Sequence, residues 1–451
     1  MSEREFDVVV LGAGPPGEVC AGRLAEHGLE VAILEPRLVG GECSFYACMP
    51  SKALLRPIEL TNESHRVPGV TVEVLDVDAV LARRDEVISN LDDTGHVPWL
   101  EDRGVVLVRD HGSLDGERRV CAGEEVLTAR RAVVVATGST ALIPPIPGLA
   151  DAKPWTNIEA TTSKHVPGRL VVLGGGVVGV EMAQVWSSLG SKVTLVHRGD
   201  RLIEREEPFA SDHVAHGLHE AGVEIRLGTS AVKVQRGAAV SLDLDDGTTL
   251  VADEVLAAFG RHPTTDEIGL ETIGLEPGGF LRVDDGLRVP GFDWLYAIGD
   301  VNGRALLTHM GKYQGRLAAD AILGESVALR SDGTLSPSVI FTDPQVGSVG
   351  YTLEGAQEAG LRVRAVDVDT GGNGGGSFIG RGAPGTSRLV VDEDASTVVG
   401  ATFTGPEIQE ALHAATIAVV GRVPLDDLWH AVPSFPTRSE LWLRLLEAYG
   451  L

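Results

Sequence analysis

The sequence predicts an α/β protein in which two strand–glycine turn–helix units precede a C-terminal α+β domain. The glycine patterns at 12–17 and 174–179 each follow a continuous apolar run and open a helical segment. Beyond residue 337, short alternating segments typical of antiparallel strands replace this pattern. A chain of 451 residues is long enough for two to four such domains.

The first unit reads as a dinucleotide site. Phe6–Leu11 is an apolar strand, and the turn after it carries Gly12, Gly14 and Gly17. The first glycine allows a tight turn, the second lets a pyrophosphate approach the backbone, and the third permits close helix packing. Glu35 ends the next strand, where an acid accepts hydrogen bonds from an adenosine ribose.

Two cysteines follow a double glycine at positions 40 and 41. Cys43 and Cys48 are five residues apart, and Lys52 follows them. In a regular helix their Cα atoms would be about 8 to 9 Å apart, too far for a disulfide, so pairing would require a distorted segment and a strained, easily reduced bridge. Pro50 suits the first turn of a following helix, whose N-terminus would stabilise a Cys48 thiolate. The alternative is two buried, unpaired thiols.

The second unit repeats the first. Leu170–Leu173 is a strand, Gly174, Gly176 and Gly179 form the turn, and Lys192–Val196 is the next strand. Two such units in one chain imply two dinucleotides.

The acid expected at the end of this second unit is missing. Arg198 and Arg201 lie there instead, and arginine accommodates the 2′-phosphate of NADPH. NADPH is therefore favoured, with NADH as the alternative. A solvated surface pair is the other interpretation of the two arginines.

The cysteine segment resembles the redox loop of the flavin-dependent pyridine nucleotide-disulfide oxidoreductases, the family of dihydrolipoamide dehydrogenase, glutathione reductase and mercuric reductase. That loop reads G-G-T-C-x₄-C-x-P-[ST]-K, and among its fixed positions only Glu42 departs. Further family motifs occur in order over the whole chain, namely Thr137-Gly138, Gly260-Arg261-His262-Pro263 and Ala297-Ile298-Gly299-Asp300.

The resemblance implies two Rossmann-like dinucleotide-binding domains plus a C-terminal α+β dimerisation domain. The expected boundaries are 1–149 for the first part of the FAD-binding domain, 150–270 for the NAD(P)H-binding domain, 271–331 for the return to the FAD and central domain, and 337–451 for the dimerisation domain. The implied protein is an FAD-containing homodimer.

By the same resemblance, electrons pass from NAD(P)H through FAD to the Cys43–Cys48 disulfide and then to an acceptor. Cys48 would be the thiolate that faces the flavin, and Cys43 the exposed interchange thiol. Lys52 and Glu181 would pair beside flavin N5. Glu181 opens the helix after the second glycine turn, where a surface acid stabilised by the helix dipole is the simpler interpretation.

The resemblance also assigns cofactor contacts. Thr137 and Gly138 would lie by the FAD, and Asp300 would hold its ribityl hydroxyls. Two residues weaken the NADPH assignment: Gly179 stands where NADPH enzymes of the family often have alanine, and Glu204 stands where a second phosphate-binding arginine is common.

The C-terminal segment departs most from the family. Members that reduce disulfides end in H-x-H-P-T-x-x-E, whose second histidine moves protons to the thiols and is oriented by the glutamate. The resemblance implies that Glu440, together with His430 if it substitutes for that histidine, would reach the cysteines of the other subunit across the dimer interface. Alignment on Pro436-Thr437 and Glu440 places Phe435 at that histidine. His430 would substitute only if its loop folds back. Loss of a general base costs about 10²- to 10⁴-fold in proton-limited steps.

Three kinds of acceptor stay open. The first choice is a disulfide in a pocket lined by Phe45, Tyr46 and Phe435. Quinones or metal ions, as in mercuric reductase, come second because they need little help from a histidine. A flavoprotein component of a multiprotein redox system is the third.

Composition limits the partners. A formal net charge of −26 argues against binding nucleic acid or an anionic membrane. Four cysteines are too few for a disulfide-stapled secreted protein, and residues 1–6 lack the features of a signal peptide. We therefore expect a cytoplasmic enzyme with a small-molecule acceptor and no resident metal.

Overall fold

The computed structural model describes residues 2–72, 74–383 and 385–451. The chain forms two compact units. The first consists of Met1–Pro50, Asp85–Leu142 and Gly260–Gly333, and the second of Ser51–Arg84, Ile143–Phe259 and Thr334–Leu451.

The secondary structure alternates between strands and helices. The strands are Ser2–Leu11 (β1), Val31–Leu34 (β2), Val106–Val108 (β3), Gly112–Leu114 (β4), Arg119–Ala122 (β5), Glu125–Val135 (β6), Ser139–Ala141 (β7), Arg169–Leu173 (β8), Lys192–Val196 (β9), Glu224–Arg226 (β10), Ala231–Arg236 (β11), Val240–Leu244 (β12), Thr249–Ala252 (β13), Glu254–Ala257 (β14), Arg261–Pro263 (β15), Leu295–Ala297 (β16), Ser338–Ile340 (β17), Gln345–Gly350 (β18), Val363–Asp369 (β19), Thr386–Asp392 (β20) and Thr397–Gly405 (β21).

The α-helices are Pro15–Glu26 (α1), Gly41–Phe45 (α2), Cys48–Arg66 (α3), Val77–Val87 (α4), Val97–Glu101 (α5), Asn157–Thr162 (α6), Val177–Ser188 (α7), Pro208–Glu220 (α8), Thr308–Ile322 (α9), Leu353–Glu358 (α10), Ile408–Gly421 (α11), Leu425–His430 (α12) and Glu440–Tyr449 (α13). Short 3₁₀ turns occur at Ser89–Leu91, Leu270–Ile273, Gly299–Asn302, Gly333–Leu335 and Gly376–Phe378.

The first unit is built on a seven-stranded sheet in the order β3-β2-β1-β6-β5-β4, with β16 also paired to β6. β1, β2, β3, β6 and β16 run parallel, whereas β4 and β5 are antiparallel. Alternate residues of β1 enter two separate apolar clusters, so apolar side chains fill both of its faces. The carboxyl ends of β1, β2, β6 and β16 therefore meet at one edge, where ligands bind in open parallel sheets.

The second unit contains a smaller parallel sheet with a similar edge. Its parallel sheet has the order β10-β9-β8-β14, and β8 pairs with β9 from Arg169 opposite Lys192 to Leu173 opposite Val196. α7 packs on the sheet through Trp186, whose side chain is fully buried. A separate antiparallel sheet joins β11, β12 and β13.

The C-terminal part of the second unit is α+β, as the sequence predicts. Five strands form a sheet in the order β17-β18-β21-β20-β19, in which every pair is antiparallel. Side chains of α11 and α13 share one apolar cluster with this sheet. In the described part of the chain, no helix combines the length and apolarity needed to span a membrane.

Candidate active site

The first glycine turn has the form that the sequence predicts. Gly12 has φ +102°, and a Cβ atom there would lie 2.5 Å from the carbonyl oxygen of Ala136. A Cβ atom at Gly17 would lie 2.0 Å from the carbonyl oxygen of Gly12, so neither position tolerates a side chain without movement. Gly14 caps α1, and its nearest neighbour would be Pro16 at 3.9 Å, which leaves this backbone open to a ligand.

Glu35 is fixed beside this turn. Its Oε2 accepts a hydrogen bond from the Ala13 amide at 3.0 Å, and its Oε1 accepts one from the Arg37 amide at 2.9 Å. A carboxylate has about four acceptor sites, so two sites are left for ribose hydroxyls. Glu35 lines the large cleft of the first unit, together with Gly12, Gly14, Thr137, Gly138 and Asp300.

Asp300 lies at the end of β16, inside the same cleft. Its Oδ2 accepts a hydrogen bond from the Ser139 hydroxyl at 2.6 Å. Burial raises the pKa of Asp300 and outweighs this hydrogen bond, which lowers it. Thr137 follows β6 in the same cleft, and its hydroxyl donates to the Thr264 carbonyl at 2.7 Å. Gly138 follows with φ +73° and no atom within 4 Å of where its Cβ atom would lie.

Glu42 is explained by an ion pair that the sequence does not reveal. Its Oε2 lies 2.5 Å from Nη2 of Arg261, and Nε of Arg261 donates to the Ser139 hydroxyl at 2.7 Å. The three side chains lie in the first unit and line the cleft. The only sequence signal for this contact was that Glu42 departs from the family motif.

The two cysteines lie on either side of a break between helices. α2 ends at Phe45, Tyr46 leaves the helical conformation with φ −133° and ψ −1°, and α3 begins at Cys48. The segment is thus distorted between the cysteines, and Cys48 lies at a helix N-terminus, as predicted.

Both residues are thiols in this structure. A hydrogen bond between Cys43 and Cys48, followed by burial, raises the pKa of Cys43 well above its usual range. The Sγ atom of Cys48 lies 3.4 Å from the Thr308 hydroxyl oxygen. Cys43 also lines the cleft of the first unit. Cys48, at the start of α3, lies where a helix N-terminus favours a thiolate.

Residues 6–315 match the pyridine nucleotide-disulphide oxidoreductases, and residues 336–445 match the dimerisation domain of that family. The chain belongs to this family. Its members depend on FAD and take electrons from NAD or NADP, so the sequence prediction of an FAD-dependent NAD(P)H disulfide oxidoreductase is confirmed.

Relatives agree over nearly the full length. The dihydrolipoyl dehydrogenase of Haloferax volcanii is 32% identical, covering 98% of this chain and 95% of its own. A mercuric reductase of Shigella flexneri is 31% identical, covering 95% of this chain and 78% of its own.

Solved structures show the same fold at lower identity. RclA from Escherichia coli, an HOCl-induced flavoprotein disulfide reductase, superposes with a TM-score of 0.87 at 24% identity, covering 98% of this chain and 99% of its own. LpdA from Mycobacterium tuberculosis superposes with the same TM-score and identity over 100% of both chains.

The cleft fits the FAD that the family requires. Gly14 offers an open helix N-terminus for the pyrophosphate, Glu35 offers free acceptor sites for the ribose, and the buried carboxyl group of Asp300 offers an acceptor for further hydroxyls. These assignments of individual residues are proposals from geometry.

In the second unit, Lys52 and Glu181 form the pair that the sequence predicts. Lys52 Nζ lies 2.8 Å from Glu181 Oε2, and Glu181 Oε1 accepts a hydrogen bond from the Phe341 amide at 2.9 Å. The ammonium also lies 4.6 Å from the centre of the Phe341 ring. Glu181 is buried in α7, so the simpler interpretation as a surface acid is wrong.

The second glycine turn is built like the first. Gly174 has φ +115°, and a Cβ atom at Gly179 would lie 1.9 Å from its carbonyl oxygen. Gly176, the N-cap of α7, has no neighbour within 4 Å of its Cβ position. The turn in this chain therefore has no room for the alanine that NADPH enzymes of the family often carry at position 179.

The two arginines after β9 differ in their surroundings. Arg201 donates to the Glu206 carbonyl at 2.8 Å, to the Ser211 hydroxyl at 3.0 Å and to the Glu204 carbonyl. The Arg201 guanidinium thus stabilises the loop to which Arg201 itself belongs. Arg198 is exposed and is the better candidate for a phosphate contact.

The C-terminal residues do not form a proton-transfer pair within the second unit. Glu440 is buried, and its Oε2 accepts a hydrogen bond from the Gly375 amide at 3.2 Å. Phe435 is 78% exposed. A Cβ atom at Gly374 would lie 2.9 Å from the Phe435 ring, so the ring lies against the glycine loop. His430 is exposed at the end of α12.

The proposed aromatic substrate pocket is wrong in part. Phe45 is only 1% exposed and packs against His96, with ring centres 5.5 Å apart, so it cannot line a substrate pocket. Tyr46 lines the cofactor cleft, and the Arg37 guanidinium lies 5.2 Å from its ring centre. α2 has only five residues, too few for a periodic pattern to indicate which of its side chains are buried.

The described residues hold no group of three or more His, Cys, Asp or Glu side chains arranged to bind a metal ion.

Proposed function

We propose that this enzyme uses NADPH to reduce a disulfide acceptor through Cys43 and Cys48, and that it works as a homodimer. The observation that carries the proposal is the position of Cys48 at the start of a 19-residue helix, with Cys43 hydrogen-bonded to it and facing the cofactor cleft. The match of residues 336–445 to a dimerisation domain supports the homodimer.

The cysteine pair has two distinct roles. FAD, when bound, supplies the two-electron chemistry between the nicotinamide and this pair. The helix N-terminus favours the thiolate of Cys48, while the raised pKa of Cys43 keeps a proton on that sulfur. Cys43 must first lose its proton; its thiolate then attacks one sulfur of the acceptor disulfide and releases the other as a thiolate. The Cys48 thiolate next attacks Cys43 in this mixed disulfide, which forms the Cys43–Cys48 disulfide and releases the second acceptor sulfur.

Lys52 acts from the second unit in this proposal. Glu181 fixes the ammonium by an ion pair at 2.8 Å, and the backbone of Phe341 fixes Glu181 in turn. An ammonium held in one place can stabilise negative charge that develops beside it. Glu181 thus positions the Lys52 ammonium in this proposal.

The residues that follow β9 support the choice of NADPH. No carboxylate follows this strand directly, since His197 and then Arg198 occupy the positions. Arg198 is exposed and cationic, whereas Arg201 is bound to its own loop. A cytoplasmic location stays a prediction from the sequence.

Metal-ion or quinone reduction is the second candidate. Phe435 stands where the family has its proton-transferring histidine, and the Cys43 thiol has a raised pKa. A metal ion displaces the proton of a thiol that it binds, and a quinone takes electrons without exchanging sulfurs, so neither acceptor depends on a histidine at position 435. Among the similar proteins, one relative is named a mercuric reductase, and one solved structure is a Cu(II) complex of RclA.

The test uses three serine variants of the holoenzyme. Cys43→Ser and Cys48→Ser should each lower NADPH-dependent reduction of disulfides about 10³-fold or more, because each removes one sulfur of the exchanging pair. Cys121→Ser is the matched control, since this half-buried thiol lies on β5. Flavin absorbance confirms that each variant keeps its cofactor.

Each acceptor class predicts a different pattern. Anaerobic reduction of wild-type enzyme should produce a long-wavelength absorbance from the Cys48 thiolate beside the flavin. Loss of this absorbance in Cys48→Ser, together with loss of activity in Cys43→Ser, supports the proposal. Wild-type enzyme that turns over only Hg²⁺, and does so through both cysteines, supports the second candidate. Quinone turnover that persists in both variants while disulfides stay inert contradicts the disulfide proposal. Co-purification with a protein partner and slow turnover of every small acceptor would indicate a multiprotein system.

A further inference from the structure

We infer that Arg438 binds a carboxylate of the acceptor, so that the enzyme acts on disulfides that carry acidic groups. The inference rests on the proposed function, in which the acceptor is a disulfide. It adds the chemical class of that disulfide and the residue that selects it.

Arg438 belongs to the C-terminal segment that departs most from the family. It occupies the first variable position of the P-T-x-x-E motif, three residues after Phe435 and two before Glu440. The family resemblance implies that this segment reaches the cysteines of the other subunit. Position 438 is therefore one from which a side chain would meet the acceptor.

Arg438 lines a small recess in the C-terminal part of the second unit. The other described residues around this recess are uncharged, namely Thr370, Gly371, Gly376, Ile379, Ala383 and Pro406. Among the described residues that line it, Arg438 is thus the only one that carries a charge. The recess therefore offers a cation to a ligand and no carboxylate that would compete for it.

The backbone of Arg438 is fixed on two sides. A Cβ atom at Gly375 would lie 2.4 Å from the Arg438 amide nitrogen, so the glycine loop at 371–376 packs directly against this peptide. The Gly375 amide donates to Glu440 Oε2 at 3.2 Å, and the Leu441 amide donates to the Arg438 carbonyl at 3.1 Å. These contacts set the point from which the Arg438 side chain extends.

The charge of Arg438 lacks a partner, although the residue is half-buried. Its side chain forms no hydrogen bond or ion pair with any residue that the structure describes, and the charge of Glu407 acts on it only from beyond ion-pair distance. Burial lowers the pKa of Arg438 for this reason. Arg388, half-buried in the same domain, instead contacts the carboxylates of Glu207 and Asp367. Because a buried guanidinium is normally paired, Arg438 is the residue at which a ligand is expected to supply the missing charge.

A carboxylate is the ligand group that fits this place. A guanidinium presents its N–H donors in a plane that matches the two oxygens of a carboxylate. The exposed ring of Phe435 offers an apolar contact to the carbon chain of such an acid. The net charge of −26 repels an acidic acceptor at long range, so its recognition depends on a local cation. Glu407, which follows Pro406, is the opposing charge near the recess.

The experiment compares 3,3′-dithiodipropionic acid with its diamide, two disulfides that differ in charge, as acceptors for the holoenzyme with NADPH. Arg438→Gln should raise KM for the diacid about tenfold, because only this acceptor loses a charged partner, and should change kcat and KM for the diamide less than about twofold. Arg438→Lys keeps the charge without the planar donors and should raise KM for the diacid only about threefold. Glu407→Gln should lower KM for the diacid. Calorimetry on Cys43→Ser holoenzyme measures binding of the diacid without turnover, and adding Arg438→Gln should weaken that binding about tenfold.

Arg444→Gln is the matched control, since it removes a charge from α13 that already pairs with Glu447. An equal change of KM for diacid and diamide in Arg438→Gln, or no change for either, would overturn the inference and leave the disulfide proposal intact. A weaker homodimer in Arg438→Gln, with equal changes for both acceptors, would show that Arg438 pairs with the other subunit and would overturn the inference too. Wild-type enzyme that reduces neither disulfide, and reduces quinone without the cysteines, would overturn the proposed function and the inference with it.

Discussion

Glu18 shows how burial sets the protonation of a single side chain. It lies in the first turn of α1, and burial raises its pKa from 4.5 to about 7, against the opposing charge of Lys312 and with a further contribution from Glu35. Its Oε1 lies 3.7 Å from Nδ1 of His96, too far for a hydrogen bond. Near neutral pH the carboxyl group is thus about half protonated.

This shift predicts a pH dependence of stability. Between pH 4.5 and about 7 the folded state holds the Glu18 proton and the unfolded state does not, so stability falls as the pH rises through this window. Glu18→Gln should abolish up to about 3 kcal/mol of that loss. Thermal unfolding at pH 5 and pH 8 checks this. The difference in unfolding temperature between the variant and wild type should be several degrees larger, in favour of the variant, at pH 8 than at pH 5. Parallel pH profiles for the two proteins would contradict it.

At the scale of elements, local patterns were sufficient for much of the site. The third glycine of each turn was predictable because its steric demand is local: a Cβ atom at Gly17 would meet the Gly12 carbonyl, and one at Gly179 would meet the Gly174 carbonyl. The demand at Gly12 comes instead from Ala136, which is distant in the sequence. The contact between Lys52 and Glu181 was predictable only from the family resemblance. The pair of Glu42 with Arg261, 219 residues apart, and that of Cys48 with Thr308, 260 residues apart, depend on how strands and helices are brought together. No local pattern encodes such contacts.

The glycine loop at 371–376 contacts the start of α13 and the segment that precedes it. Glu440, which the family uses to orient a histidine, here accepts a hydrogen bond from the Gly375 amide, and Phe435 lies against Gly374. A Cβ atom at Gly375 would lie 2.1 Å from the Thr437 carbonyl carbon, so loop and segment are in close contact. Glu440 is thus a loop anchor within its own unit.

A pair of variants tests this anchor. Glu440→Ala leaves the buried Gly375 amide without its acceptor, which should cost about 1 to 3 kcal/mol in the free energy of unfolding. Glu440→Gln retains an acceptor oxygen and should cost less than about 1 kcal/mol. Thermal unfolding of the two variants measures the difference. Equal destabilisation by alanine and glutamine would show that the hydrogen bond is not what holds the loop.

At the scale of the whole molecule, the net charge of −26 opposes association of two copies. The dimerisation domain at 336–445 must overcome this repulsion, and it leaves the apolar side chains of Ile417, Val432 and Phe435 exposed. Repulsion between the two chains acts over about 30 Å at 0.01 M salt and over about 8 Å at 0.15 M. The balance between repulsion and contact should therefore depend on ionic strength.

We expect the dissociation constant of the homodimer to fall as salt rises from about 0.01 to 0.15 M, because screening removes long-range repulsion before it weakens short-range apolar contacts. Sedimentation velocity over a dilution series at each salt concentration measures this constant. A non-ionic solute at matched osmolarity is the control, and it should leave the constant unchanged. A dissociation constant that rises with salt would instead mean that ion pairs across the interface outweigh the repulsion between the two acidic chains.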